Sequence, residues 1–451
     1  MQALLAALAF LTVASAAPDH ASASNLLEAL ASAYQTNPQL NAERARVRAI
    51  DETVPQALSG YRPQVTATAD IGAQYVNSNV GSATTAPAGV GITGTQILFN
   101  GLRTANRTRQ AESLVFAGRE GLRLLDQQIL LDAVTAYMDV IRDAAILDLQ
   151  RRNVAVLQEQ LGQTRERAQV GEVTRTDIAQ AESRLAAARS FALAAESNFT
   201  TSRALYRRVI GVDPPSSLTP GKPVDHLSPA TLGAAVTQGL TINPLVTAAM
   251  HGVDIQQLQV KIDEGALYPT VALQGTLQQR HELLSGQRQF SALAIAQVVI
   301  PLYQGGAEYA LIRQSKETLG QQRINVELQR DLVRSRVIQS WGLLQAARAQ
   351  ITAAQAQVSA TEFALNGVRE EARVGQRTTL DVLNAQQELV NARVLLVTAQ
   401  RDRVVFSYGL LAAVGNLSPT ALALRIQQYD PRTHYHQVRD AWSGVRTPDG
   451  R

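Results

Sequence analysis

Apolar and polar residues alternate along residues 64–75 of the chain. The apolar members at every second position are Val65, Ala67, Ala69, Ile71, Ala73 and Tyr75. A period of two with one polar face predicts a β-strand. The alternation recurs at residues 270–278, and less regular return strands follow at about residues 90–99 and 290–303. The sequence therefore predicts two β-hairpins, with polar external loops at residues 77–89 and 281–289.

Helical segments are predicted on both sides of each hairpin. Their approximate bounds are residues 26–56, 104–169, 229–265 and 308–373. A helix of ~60 residues spans roughly 90–100 Å, which suits a coiled-coil cylinder better than a globular domain. Gly171 and Gly375 end the two longest segments, and a further helix then runs to Gly211 or Gly415. The helices alone are also compatible with a soluble helical bundle.

The chain contains an internal duplication. Pro63 and Pro269 are 206 residues apart, and Gly171 and Gly375 are 204 residues apart. Further matches at these offsets are Asn37-Pro38 with Asn243-Pro244, Leu98-Phe99-Asn100-Gly101 with Leu302-Tyr303-Gln304-Gly305, and Gly211 with Gly415. Ordered matches at a nearly constant offset indicate two copies of one structural repeat.

The duplication predicts the domain organisation. The first repeat covers residues 24–211 with a hairpin at about 61–100, and the second covers residues 212–415 with a hairpin at about 267–304. Residues 416–451 have no repeat partner. We expect a short equatorial element there, followed by a disordered tail.

Residues 1–23 are predicted to be a signal peptide. An apolar run from Ala3 to Val13 is followed by Ala14-Ser15-Ala16, which is typical of a secretory signal cleaved near residues 16–23. The usual basic residues before the apolar run are missing. An ordinary amphipathic N-terminal helix is the alternative.

Composition excludes several classes of function. The chain has no cysteine, which excludes disulfides, thiolate metal sites and a cysteine nucleophile. Its net charge is only +4, and no basic cluster with interleaved aromatic residues indicates nucleic-acid binding. We find no grouping of residues typical of an active site. The sequence therefore predicts a protein that is not an enzyme and has no cofactor.

Two motifs suggest ligand binding and are better explained otherwise. Residues 89–94 fit the glycine pattern of a dinucleotide site, but an extended segment follows where a helix should begin. We interpret these glycines as easing the twist of a strand. His434 and His436 could bind a metal ion, but no third ligand is near in sequence. We interpret them as part of a polar tail, and no metal site is predicted.

The predicted strands have the length and polarity of membrane strands. A tilted membrane strand needs about 9–11 residues with one face toward lipid and one toward water. Two hairpins give four strands, whereas a barrel needs about eight to close. An open edge in lipid leaves backbone groups unpaired. If the strands span a membrane, several chains must share one barrel. A soluble sheet packed on the helices is the alternative.

The order of these features resembles that of the TolC-like outer-membrane efflux proteins, over residues 25–415. The strongest local match is Val374-Gly375-Gln376-Arg377-Thr378-Thr379-Leu380-Asp381-Val382-Leu383-Asn384-Ala385-Gln386. The resemblance implies a mainly α fold with a membrane β-barrel portion. In such a fold, a trimer builds a twelve-stranded barrel from four strands of each chain, with a helical tunnel through the periplasm.

The same resemblance implies a function. The chain would be the passive outer-membrane duct of a tripartite efflux or type I secretion system, reaching from the outer membrane into the periplasm. It would dock to a periplasmic adaptor and to an inner-membrane pump of the RND, ABC or MFS type. A structural or adhesive coiled-coil envelope protein without a pore is the alternative.

The resemblance also implies a periplasmic gate beside Gly171 and Gly375. By position, Arg377 is the linking arginine, Asp381 is an aspartate of the pore ring, and Thr176 and Asp177 are the partner pair.

Two positions depart from the family pattern. The second ring aspartate corresponds to Asn384 and the linking tyrosine to Ala372, so the ring would carry fewer charges and part of the latch is absent. Asp177 and Asp381 could also simply stabilise helix starts, where the helix dipole favours a negative charge.

Overall fold

A computed structural model describes residues 25–450 of the chain. The predicted signal peptide at residues 1–23 lies outside these residues. The described part divides into two compact units. The first unit comprises the residues up to Asn37, Asp132–Lys222 and Ala353–Arg401, and the second comprises Pro38–Leu131, Pro223–Thr352 and Asp402–Arg451.

Helices build the first unit. Two of them, α1 (Leu26–Thr36) and α5 (Arg175–Ile210), lie wholly within it. It also contains parts of α4 (Arg103–Gln169), α8 (Ala307–Arg373) and α9 (Thr379–Val414). An apolar core joins α4, α5 and α9 through Leu157, Leu161, Ala181, Leu185, Ala188 and Leu383. The alanines in this core allow close approach of the helices.

The second unit contains the β-structure. Four strands form one antiparallel sheet in the order β1-β4-β5-β6. They are β1 (Gln64–Ile71), β4 (Pro87–Asn100), β5 (Thr270–Glu282) and β6 (Arg288–Val299). The strands β1 and β6 form the two edges of this sheet, and every residue of both strands is exposed.

A second small sheet corrects one prediction of the sequence analysis. The expected loop at residues 77–89 instead contributes to β2 (Gln74–Ser78) and β3 (Gly81–Thr85), which pair with each other. The polarity of this segment suggested a loop. Its Ser and Thr residues are nevertheless compatible with a strand, because polar side chains are tolerated where both faces are exposed.

Five shorter helices complete the second unit. They are α2 (Pro38–Asp51), α3 (Thr53–Leu58), α6 (Leu232–Ile242), α7 (Pro244–Glu264) and α10 (Pro431–Val438). The core around α6 and α7 consists of Ala235, Val246, Val333, Val337, Leu344, Leu410 and Val414. Across residues 25–450, none of the helices combines the length and apolarity that a bilayer crossing demands.

Prolines divide the two segments that the sequence analysis predicts as single helices. The breaks fall at Asn37-Pro38 and Asn243-Pro244, because proline has no N–H and restricts the residue before it. The Asn243 side chain accepts a hydrogen bond from the Leu245 N–H (3.0 Å) and donates one to the Ala413 carbonyl (2.8 Å). The break at Asn243 therefore starts a new capped helix.

The duplication is visible in the lengths of the helices. The helices α4 and α8 each contain 67 residues, and α5 and α9 each contain 36. Mainly helical repeats that each carry a hairpin are thus confirmed. The exact domain boundaries at residues 211 and 415 stay predictions.

A buried hydrogen bond attaches α10 to α2. The Asp51 side chain is fully buried, and its Oδ2 lies 3.0 Å from Nδ1 of His434, which is 8% exposed. The interpretation of His434 as part of a polar tail is therefore wrong, because it lies on the inner face of a helix. Where the predicted disordered tail begins stays a prediction. The helix α10 ends at Val438.

A half-buried carboxyl, that of Asp126, lies on α4, with its Oδ1 fully buried. Burial raises the pKa of Asp126 to about 7, against the opposing charges of Arg44 and Arg123. Its Oδ1 has no hydrogen-bond partner among the described residues. An unfolded aspartate has a pKa of about 3.9. Between pH 4 and 7 the unfolded chain has therefore lost a proton that the folded chain retains, and the free energy of unfolding falls as pH rises.

We expect Asp126→Asn to stabilise the protein more at pH 8 than at pH 5, because the amide cannot ionise. The measurement is the melting temperature of variant and wild type at both pH values. Asp331→Asn, at an exposed position of α8, is the control and should show no such trend. An Asp126→Asn effect of equal size at both pH values would contradict the assignment.

Candidate functional site

The two helix breaks at Gly171 and Gly375 have the same geometry. At the first break, the N–H of Gly171 donates to the Ala168 carbonyl (3.2 Å) and that of Glu172 to the Arg167 carbonyl (3.0 Å). This bond pair ends a helix and requires a positive φ at its central residue. The values are 79° at Gly171 and 80° at Gly375, where glycine is favoured.

A capping box starts the helix after each break. In the first repeat, the Thr174 hydroxyl accepts from the Asp177 N–H (3.3 Å), while Asp177 Oδ2 accepts from the Thr174 N–H (2.8 Å). In the second repeat, the same bonds join Thr378 and Asp381 at 3.2 and 2.9 Å. The hydrogen bonds from Thr174 and Thr378 lower the pKa of these carboxyls, so both are anionic at neutral pH. Stabilisation of the helix starts, one of the two roles that the sequence allows, is confirmed.

The predicted gate residue Arg377 pairs within its own loop. Its Nε lies 2.8 Å from Oε2 of Glu371, and this hydrogen bond is the main cause that raises the pKa of the guanidinium. The contact connects the end of α8 with the segment before α9. Thr176 lies exposed in the first turn of α5.

Asn384 contacts the other repeat. Its Oδ1 accepts a hydrogen bond of 2.7 Å from Nη2 of Arg184 on α5. The neighbouring Leu383 is 2% exposed and belongs to the core shared with α4 and α5. A packed leucine and a polar bond thus fix the start of α9 against the first repeat.

Sequence reasoning missed Arg184 and Glu371 as partners. One signal was available for Arg184, because its repeat counterpart 204 positions later is Glu388, and Asn384 corresponds to Gln180. Where corresponding positions of the two repeats carry different charges, one repeat can make a contact that the other cannot. The partner itself lies 200 residues away in the chain, so the spacing could not identify it.

The helices beside the breaks are joined by exposed ion pairs. Arg165 lies 2.6 Å from Glu182 between α4 and α5, and Arg393 lies 2.6 Å from Glu362 between α8 and α9. Exposed pairs each contribute little, so they adjust the pairing of the helices without determining it. Within residues 25–450, no three His, Asp or Glu side chains are grouped to bind a metal ion. The site can carry fixed charges and hold loops.

The fold matches that of solved outer-membrane channels. The crystal structure of the Campylobacter jejuni CmeC outer membrane channel matches with a TM-score of 0.78 at 14% identity, covering 92% of this chain and 89% of that one. The chain belongs to the outer membrane efflux protein family, whose model matches residues 29–212 and 236–416.

Relatives in sequence agree with this assignment. The chain is 42% identical over 429 residues to the outer membrane efflux protein BepC of Brucella suis biovar 1, covering 94% of this chain and 93% of the relative. It is 26% identical over 427 residues to the outer membrane protein TolC of Vibrio cholerae, covering 88% and 92%. Other relatives have names that describe protease secretion. The predicted family, the outer-membrane location and the general role as an export duct are thereby confirmed.

We expect Thr174→Ala to loosen the start of α5. Loss of an N-cap hydroxyl costs about 1 kcal/mol, or roughly a five-fold change in the local opening equilibrium. Hydrogen–deuterium exchange of the Asp177 and Ile178 amides, which bond to Thr174, should accelerate by about that factor. Thr174→Ser keeps the hydroxyl and serves as the control. Unchanged exchange in the alanine variant would show that the cap is not formed in solution.

Proposed function

We propose that three copies of this chain form a passive export duct across the outer membrane. Each copy contributes its four-stranded sheet to one twelve-stranded barrel, and the helices form a tunnel in the periplasm. The observation that carries the proposal is the pair of open edges, β1 and β6, two strands that are exposed along their whole length. The number of copies is inferred from the family resemblance.

The two faces of the sheet support a membrane location. One face carries apolar residues in register across three strands, with Ala67 opposite Ile92 and Ile92 opposite Leu277. The adjacent register positions are polar, with Thr66 opposite Thr93 and Thr93 opposite Thr276. In a membrane barrel, apolar residues face the lipid and polar residues face the water inside. In lipid the edges β1 and β6 must be paired, and a neighbouring copy supplies the partner.

The partners follow from the same proposal. A periplasmic adaptor and an inner-membrane pump of the RND, ABC or MFS type would supply the cargo and the energy, because a polar lining provides neither. Similarity to an efflux protein along most of both chains supports efflux of small molecules as the first candidate. Secretion of proteins is the second candidate, and relatives that are named for protease secretion favour it.

We expect β1 and β6 of different copies to be neighbours. Because the chain has no cysteine, Ala67→Cys can be combined with a cysteine at Ala292, Ala294 or Ala296 of β6. Oxidation should produce covalent dimers and trimers in one of these combinations, according to the register. Ala67→Cys with Gly162→Cys, on α4, is the control. A wild-type chain that stays monomeric in detergent and forms no conducting pore would refute the duct.

We propose further that the loops at Gly171 and Gly375 form the periplasmic gate. In this proposal Asp381 and Asn384 line the pore ring, and Arg377 links to the Thr176-Asp177 pair. The exposure of Arg377 and the partial exposure of Asp381 support it, since both side chains can reach another helix or another copy. The ion pair of Arg377 with Glu371 within its loop competes with such a link.

We expect Arg377→Ala to raise the leak conductance in planar bilayers, because the link that closes the mouth is lost. Glu371→Gln is the matched control. It removes the pair within the loop and should leave the closed state intact. Equal effects of Arg377→Ala and Glu371→Gln would assign Arg377 to its loop rather than to a gate.

Asp381→Asn should weaken the preference for cations and the block by multivalent cations.

A further inference from the structure

Two glycines leave a gap on the polar face of the sheet. Gly89 and Gly91 of β4 lie in register with Asp70 and Thr68 of β1 on one side. On the other side they lie in register with Arg280 and Gln278 of β5. A glycine within a strand often marks a close approach of neighbouring groups. Side chains of β1 and β5 can therefore meet above β4.

The gap above Gly89 is bridged by an ion pair. Nη1 of Arg280 donates to Oδ2 of Asp70 at 3.4 Å. The two strands are separated by two inter-strand spacings, about 9–10 Å, which the two side chains span together. A Cβ at position 89 would lie 3.3 Å from Asp70 Oδ1 and 3.4 Å from Arg280 Cγ. Alanine at position 89 would thus crowd both partners of the pair.

Gln278 positions the other side of the guanidinium. With its amide oriented to satisfy its neighbours, its oxygen accepts from Nε (2.9 Å) and Nη2 (3.0 Å) of Arg280. The two edges of the guanidinium therefore have different acceptors. Arg280 is held across the strands rather than extended freely into solvent.

The pair is placed where it faces the interior of the proposed barrel. It belongs to the face that carries Thr66, Thr68, Thr93, Thr95, Gln274, Thr276 and Gln278, as the strand registers show. Apolar residues interrupt this polar face at Ile97 and Ala272, and on the edge strand β6 at Leu293, Ile295 and Val299. A polar face turned toward water is the arrangement of membrane barrels.

Other charged side chains of the four strands are engaged or lie elsewhere. Glu282 accepts from the backbone N–H groups of Ala86 (2.6 Å) and Leu284 (3.2 Å) at the end of β5. Arg288 is in register with His281 and so belongs to the opposite face. Asp70 and Arg280 are therefore the two charges that this sheet presents side by side on its polar face.

We propose that Asp70 and Arg280, bridged over Gly89, determine the ion selectivity of the membrane part of the duct. As a pair they cancel each other's charge, so together they add no net charge to the polar face. Removal of either partner leaves one uncompensated charge per copy facing the pore. The inference rests on the proposed function, because it requires the polar face to line the pore.

The sign of each change follows from the charge that remains. Arg280→Gln leaves Asp70 and should shift the selectivity toward cations, whereas Asp70→Asn leaves Arg280 and should shift it toward anions. A unit charge about 10 Å from an ion in water changes the ion's occupancy roughly two-fold. We expect a change of at least about that factor in the permeability ratio, larger at low salt because screening is weaker.

The test measures reversal potentials of the full-length protein in planar bilayers under a potassium chloride gradient. The double variant Asp70→Asn/Arg280→Gln should return to the wild-type value, because it is again neutral. Arg288→Gln makes the same chemical change on the opposite face and is the matched control. If both single variants conduct normally and keep the wild-type reversal potential, the inference is wrong while the duct itself stands. A wild-type protein without conductance would instead overturn the proposed function.

A cysteine variant tests the pair in pores that have already assembled. The chain has no cysteine, so Arg280→Cys introduces a single thiol that can be modified during the recording. A positively charged thiosulfonate should restore the wild-type selectivity, and a negatively charged one should increase the cation preference. If modification is shown by mass spectrometry and neither reagent changes the reversal potential, position 280 does not influence the ions.

Discussion

The edge strands of the four-stranded sheet impose the constraint on which the proposed assembly depends. Backbone N–H and C=O groups at β1 and β6 need partners, and lipid offers none. One chain has two such edges because its sheet does not close on itself. Duplication doubles the strands that each chain supplies, and so it lowers the number of copies needed without removing the need for them.

The helix breaks satisfy the same demand for backbone partners by local means. Each long helix ends at a glycine with positive φ, and the next begins at a threonine-aspartate capping box. A structural role and a gating role are compatible at Asp381, since both bonds from Thr378 use the same oxygen, Oδ2. The negative charge that stabilises the helix start is then also a charge beside the break between α8 and α9.

Local patterns in the sequence determine the long elements well and the contacts between them poorly. The predicted segments 104–169 and 308–373 match α4 and α8 to within one residue. They match because a glycine marks the end of each of these helices. The strands β2 and β3 were not predicted because they are mostly polar on both faces. Alternation of apolar and polar residues indicates a strand only where one face is apolar. The bonds of Asn384 with Arg184 and of Asp51 with His434 join residues 200 and 383 positions apart. Such contacts depend on how the helices pack. The spacing of neighbouring residues in the sequence does not predict this packing.

The glycines of residues 89–94 show how one pattern can serve different physical purposes. In a nucleotide site such glycines let a phosphate approach the backbone, whereas here Gly89 lets two side chains approach each other above a strand. Glycine weakens a strand because it packs nothing, and the bridge between Asp70 and Arg280 restores contact across the gap. Opposite charges across strands contribute only modestly to stability. Their greater effect is electrostatic. In a water-filled pore a balanced pair adds no net charge to the lining, whereas an unbalanced charge attracts ions of opposite sign and repels ions of the same sign.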